Sequence, residues 1–148
     1  MTALFLIAAL VAVAASVLVI TRSDLMHALL YLVVSLFAVA VVFFTLGAPF
    51  VAALEVVVYA GAIMMLYVFA VMLLNVHADT PLRVAPRAWA VPLVLAGILL
   101  AELIYGVSLM KHAPAGAAVG PQRVSQELFG PYVLGVELAS MLLLAALV

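Results

Sequence analysis

The chain contains no cysteine. That excludes a disulfide framework, thiolate catalysis and any cysteine-ligated cluster held by this chain. Charge is almost as scarce: five Lys and Arg and six Asp and Glu, 7% of the residues, with a net charge of -1. Soluble domains carry about a quarter charged residues, and so few charges assemble neither a basic patch for nucleic acid nor an acidic tail. The three histidines, His27, His77 and His112, stand in separate connections without the close spacing of a metal site. There is no nucleophile–base pair, no phosphate-binding glycine loop and no dinucleotide fingerprint. The chain lacks the parts for redox chemistry by itself: it offers no catalytic, cofactor-binding or metal-ligating residue.

Hydrophobic residues are what it has, 72% of the sequence. They come in runs of roughly twenty, the length a helix needs to cross about 30 Å of hydrocarbon at 1.5 Å per residue. These runs predict an all-α integral membrane protein, a single transmembrane domain of about five helices. The spans lie near residues 3–20, 28–46, 51–74, 88–110 and 132–148. Gly47-Ala48-Pro49 breaks the second from the third. Residues 75–87 read as a polar loop with Pro81 and Pro86, and Trp89 as an interfacial anchor. Residues 111–130, rich in Ala, Gly and Pro, read as the longest loop, and Pro131 as the first turn of the last helix. The N-terminal run has no preceding positive residue and is too long for a signal h-region, so it reads as a retained helix.

Orientation follows from Lys and Arg in short loops. Arg22, Arg83 and Arg87 fall in the first and third connections, none in the second, and Lys111 and Arg123 in the fourth. The excess puts the N-terminus outside and the C-terminus in the cytoplasm.

Three carboxylates fall inside the spans. Glu55 is about one turn into the third, Glu137 about one and a half turns into the fifth, and Glu102 about two turns before the end of the fourth. On the expected topology all three lie at similar depth, roughly 6–12 Å inside the outer boundary. A carboxylate in hydrocarbon costs about 2.5–3.5 kcal/mol on insertion scales. No Lys or Arg lies within a span, so these groups are either protonated or partnered by water or other subunits. The plainer reading is that they sit close enough to the interface to be hydrated. Glu55 and Tyr59 are four residues apart and share a helical face, which continues through Ala62, Leu66 and Phe69. Tyr59 is otherwise an ordinary packing residue. Ala60-Gly61-Ala62 permits close helix approach and weakens the helix, glycine costing about 1 kcal/mol relative to alanine. A helix with a wet end, a small-residue hinge and a bulky remainder could gate a proton path. Gly135, Ala139 and Ser140 in the last span read as tight packing.

The third span, residues 55–75, reads EVVVYAGAIMMLYVFAVMLLN. It resembles the signature helix of the subunit J family of proton-pumping NADH:quinone oxidoreductase, respiratory complex I, whose mitochondrial counterpart is NADH dehydrogenase subunit 6. His27-Ala-Leu-Leu-Tyr31, Phe43-Phe44-Thr-Leu-Gly47-Ala and the run from Phe129 through Glu137 and Ser140 extend the likeness in the same order. Only the loops and the fourth span are unspecific. The resemblance implies a non-redox core membrane subunit in a bacterial plasma membrane, packed against lipid and subunits resembling A, H and K. NADH, FMN, iron–sulfur clusters and quinone would belong to other subunits. It further implies that the third helix can carry a π-bulge around residues 59–69. Conversion of that bulge to regular α-helix would open or close a water path coupling quinone reduction to proton pumping.

By this resemblance Glu55, Tyr59, Gly61, Met64, Met65, Tyr67 and Phe69 form the coupling helix. Glu137 belongs to the matched last helix, while Glu102 has no counterpart in the family pattern. The end at Val148 lacks the polar tail of bacterial members. Two other classes remain open on the residues alone. One is a subunit of a cation/proton antiporter complex, which would exchange sodium for protons without NADH. The other is a passive packing subunit, in which changes along the Glu55–Tyr59 face would alter only yield.

Overall fold

The structure, a computed structural model, describes residues 2–74, 89–110 and 119–148. The expected loop at residues 75–87, with its two prolines, His77, Arg83 and Arg87, lies outside them, as do Lys111 and His112. The elements are α1 (Thr2–Thr21), α2 (Leu25–Thr45), α3 (Pro49–Leu73), α4 (Ala90–Met110), α5 (Pro121–Phe129) and α6 (Val133–Leu147). The described residues are helical, with no strand among them. Four helices, α1 to α4, are long and apolar enough to cross a membrane, and a fifth crossing is reached if α5 and α6 count as one bent span.

The two ends of α2 and the start of α3 have local causes. Asp24 caps α2, its Oδ1 accepting from the backbone N–H of Met26 at 2.9 Å and of His27 at 3.3 Å. His27, expected in a connection, therefore sits in the first turn of α2. At the other end Gly47 has φ 81°. Its N–H donates to the Phe44 carbonyl and that of Ala48 to the Phe43 carbonyl, both at 3.1 Å. This is the paired bonding of a Schellman motif, whose left-handed residue favours glycine. Pro49 then starts α3 two residues earlier than expected, at a position where its missing N–H is no loss.

The core is made chiefly by α1, α2 and α4. Ala8, Val11 and Ala15 of α1 meet Val34, Ala38 and Val41 of α2, with Leu99 of α4 closing the cluster. Ala8, Ala15 and Ala38 have no exposed surface, the close approach that small residues permit between membrane helices. A polar tie crosses this interface: Ser16 and Ser35 share a hydrogen bond of 2.9 Å, and Ser35 also reaches the Ala12 carbonyl at 3.3 Å. Helix α3 lies against α2 along its length.

Two expectations are corrected here. Residues 121–129, expected within a long loop, form a nine-residue helix. Gly120 and Pro121 start it, and Arg123, Val124, Glu127 and Leu128 fall on distinguishable polar and apolar faces. The loop composition that suggested irregularity is concentrated just before it. Pro131 lies in a turn between α5 and α6 rather than in the last helix, and the two helices meet at 85°. The segment before α5 is fastened to the bundle where the Val119 N–H donates to the Gly47 carbonyl at 2.8 Å.

Candidate functional site: a π-helical segment within a spanning helix

Helix α3 is not uniform. Residues Pro49–Leu54 and Met64–Leu73 are α-helical, but Glu55–Ile63 between them is π-helical. Backbone bonds there run five residues back, and the Met64 N–H at its exit reaches the Tyr59 carbonyl as well as that of Gly61. The irregularity begins one turn before the expected 59–69 region and overlaps it through Ile63.

The burial pattern shows what the extra residue does. The side of α3 turned inward carries Ala52, Val56, Ala60, Gly61, Met64, Val68 and Val71. Ala52, Val56, Ala60, Met64 and Val68 recur at steps of four, a spacing that drifts about 40° per step around a regular helix of 3.6 residues per turn and that a wider π turn offsets. The π turn absorbs one residue and brings Met64, only 2% exposed, back onto the packed face. A regular α-helix would swing everything beyond it by about 100°, one residue's rotation at 3.6 per turn.

Gly61 belongs to this turn. A Cβ there would stand 3.2 Å from the Val56 carbonyl oxygen, five residues back, and would meet no side chain and no other helix within 4 Å among the described residues. Its small size accommodates the helix's own carbonyl, and no second helix approaches it among the described residues.

The remaining members of the expected coupling set divide between faces. Glu55 is half-buried, whereas Tyr59, Met65, Tyr67 and Phe69 are exposed. The predicted face through Ala62, Leu66 and Phe69 is likewise exposed. An apolar groove of about 630 Å³ lies between α2, α3 and α4 and is walled by Phe37, Val41, Phe44, Ala52, Val56 and Leu99, among others. It borders the π segment through Val56. Sequence reading gave no sign of it, because its walls come from three helices.

The three intramembrane carboxylates do not converge. Glu55 opens the π segment, Glu102 is buried at 6% exposure on α4, and Glu137 is exposed on α6. A second polar grouping, spread over α1, α2 and α4, gathers where α1 passes into α2. His27 Nδ1 lies 3.1 Å from Asp24 Oδ2, Trp89 stands edge-on to the imidazole at 6.4 Å, and the Arg22 guanidinium lies 5.6 Å from the Tyr31 ring centroid. Burial alone would raise the Asp24 pKa, but hydrogen bonds from the His27 side chain and from the backbone of His27 and Met26 outweigh it and hold the carboxyl below its usual range. Trp89, expected as an interfacial anchor, docks the entry to α4 beside the start of α2.

Comparison with known proteins gives a consistent pattern. Residues 15–148 match the family described as NADH-ubiquinone/plastoquinone oxidoreductase chain 6. The chain is 50% identical to a protein of Pseudomonas aeruginosa named NADH-quinone oxidoreductase subunit J, over 97% of this chain and 90% of that one. It is 46% identical to the Escherichia coli protein of the same name, over 97% of this chain and 81% of that one. A Buchnera aphidicola protein, again so named, is 41% identical over 97% and 88% of the two chains.

Proposed function

The chain belongs to the NADH-ubiquinone/plastoquinone oxidoreductase chain 6 family, and we propose that its α3 couples quinone reduction to proton translocation in the complex it serves. It is a multi-pass membrane subunit of a hetero-oligomeric NADH-quinone oxidoreductase. In this reading it carries no redox centre. NADH, FMN, iron–sulfur clusters and quinone act on other subunits, and its contacts are subunits resembling A, H and K together with lipid, in a bacterial plasma membrane.

The observation that carries the proposal is the π segment at Glu55–Ile63 in the middle of a spanning helix. A π turn and an α turn hold the same residues in different registers, so interconversion rotates one half of the helix against the other. The rotation would move Met64 out of the packed face and swing Tyr67 and Phe69 around the axis. The groove beside Val56 supplies room for the change without overpacking. Glu55 at the entry to the π segment, with Tyr59 beyond it, would supply the polar end of a water path, and the bulky apolar residues past Gly61 would close it.

The test is purification of this chain from native membranes in mild detergent, with assay of NADH:quinone activity sensitive to quinone-site inhibitors. The expected result is such activity together with a large set of co-purifying subunits. A stable partner complex that oxidises no NADH and exchanges sodium for protons would replace this reading with the antiporter one.

A further inference from the structure

Glu102 differs from the other two carboxylates of the spans in being enclosed by its own chain. It lies on the face of α4 that also carries Leu95, Leu99 and Gly106, residues spaced at whole helical turns. Leu99 belongs to the core formed with α1 and α2, and Leu95 packs against it. Glu102 is 6% exposed, and neither of its carboxyl oxygens has a hydrogen-bond partner among the described residues. Helix α1 presents no ionisable side chain at all. Helix α2 carries only His27 and Tyr31, near its far end, and α4 itself adds only the exposed Tyr105. One turn beyond Glu102, the position a Cβ would take on Gly106 is 3.1 Å from the Phe44 ring, so that ring occupies the notch left by the glycine. The Phe44 ring thus stands about one turn along α4 from Glu102, and the aliphatic core around Leu99 stands about one turn the other way.

A carboxyl group needs hydrogen-bond partners whether or not it carries its proton. Buried polar groups without protein partners are served by ordered water. We propose that Glu102 is a buried water-binding site in the interface of α1, α2 and α4, closed at the Gly47 end by Phe44 seated on Gly106. The ligand is one or a few water molecules held by the carboxyl oxygens. This site lies on a different helix from the α3 residues of the coupling reading and does not depend on that reading.

X-ray radiolysis of bound water, read as side-chain oxidation by peptide mass spectrometry, tests it in the assembly purified from native membranes. Phe44 is the reporter, and Phe37, about two turns earlier on α2, is the control. In the wild type Phe44 is oxidised. In Glu102→Leu that oxidation falls several-fold while Phe37 is unchanged, and in Glu102→Gln it persists because an amide also binds water. Equal Phe44 oxidation in Glu102→Leu and wild type overturns the proposal, as does loss of oxidation in Glu102→Gln. An unoxidised Phe44 in the wild-type assembly overturns it without any variant.

Discussion

At the scale of single residues, stability rests on a few polar contacts placed where the backbone or a neighbouring helix needs them. Asp24 satisfies two N–H groups at the start of α2 and also pairs with His27. Loss of such a cap costs about 0.5–2 kcal/mol, and the low end applies because the Asp24 side chain is 44% exposed. Its folded-state pKa is depressed, so the stabilisation is complete above the ordinary carboxylate range and disappears as pH falls through the folded value. Thermal unfolding of the purified assembly should show Asp24→Ala less stable than wild type near neutrality, with the difference closing in acid. Ser35→Ala removes the tie to Ser16 and Ala12. It should cost about 0.6 kcal/mol, the average for a polar contact between membrane helices, measured by unfolding in mixed micelles. Glu55→Gln keeps the shape and removes the ionisable carboxyl. If Glu55 takes part in coupling, turnover or proton yield drops in that variant, and unchanged values would reduce it to a hydrated interfacial group.

At the scale of elements, the spans were legible because membrane helices are written in long apolar runs that need no periodicity to be seen. The boundary between the second and third spans followed from Gly47-Ala48-Pro49, whereas the cap at Asp24 and the helix start at Pro121 emerged only in the structure. Helix α5 was hidden because its nine residues are half polar and follow a stretch rich in Ala and Gly. The position of the π segment could not be derived from the residues themselves. It depends on which side of α3 packs on α2, and that side becomes visible only through burial. The weakness of the helix at Gly61 was readable, but the atom it spares, the Val56 carbonyl oxygen, was not. Equally, the enclosure of Glu102 and the exposure of Glu137 separate two carboxylates that look alike in sequence. At this scale Gly47→Val should destabilise the turn between α2 and α3. A β-branched residue at φ 81° is strained, and the Val119 bond to the Gly47 carbonyl would be disturbed with it. A lower unfolding temperature of the assembly, with the α3 sequence untouched, would show it.

At the scale of the whole molecule, the chain is a small bundle with large apolar surfaces left for others to cover. Helix α6 is exposed along its length apart from half-buried Val136, and the Tyr59–Phe69 side of α3 also faces outward. Such surfaces suit a subunit held among neighbouring membrane helices and lipid. The 85° bend between α5 and α6 carries the exposed last helix away from the core. The central claim is that α3 works by exchanging π for α register. Gly61→Leu tests it most directly. The new side chain would crowd the Val56 carbonyl in the π turn, while replacing glycine favours α-helix by about 1 kcal/mol. The measurement is the proton-to-electron ratio of the reconstituted NADH:quinone oxidoreductase carrying that substitution. A lowered ratio in a fully assembled enzyme is the predicted result, and a wild-type ratio in that enzyme would contradict coupling through α3.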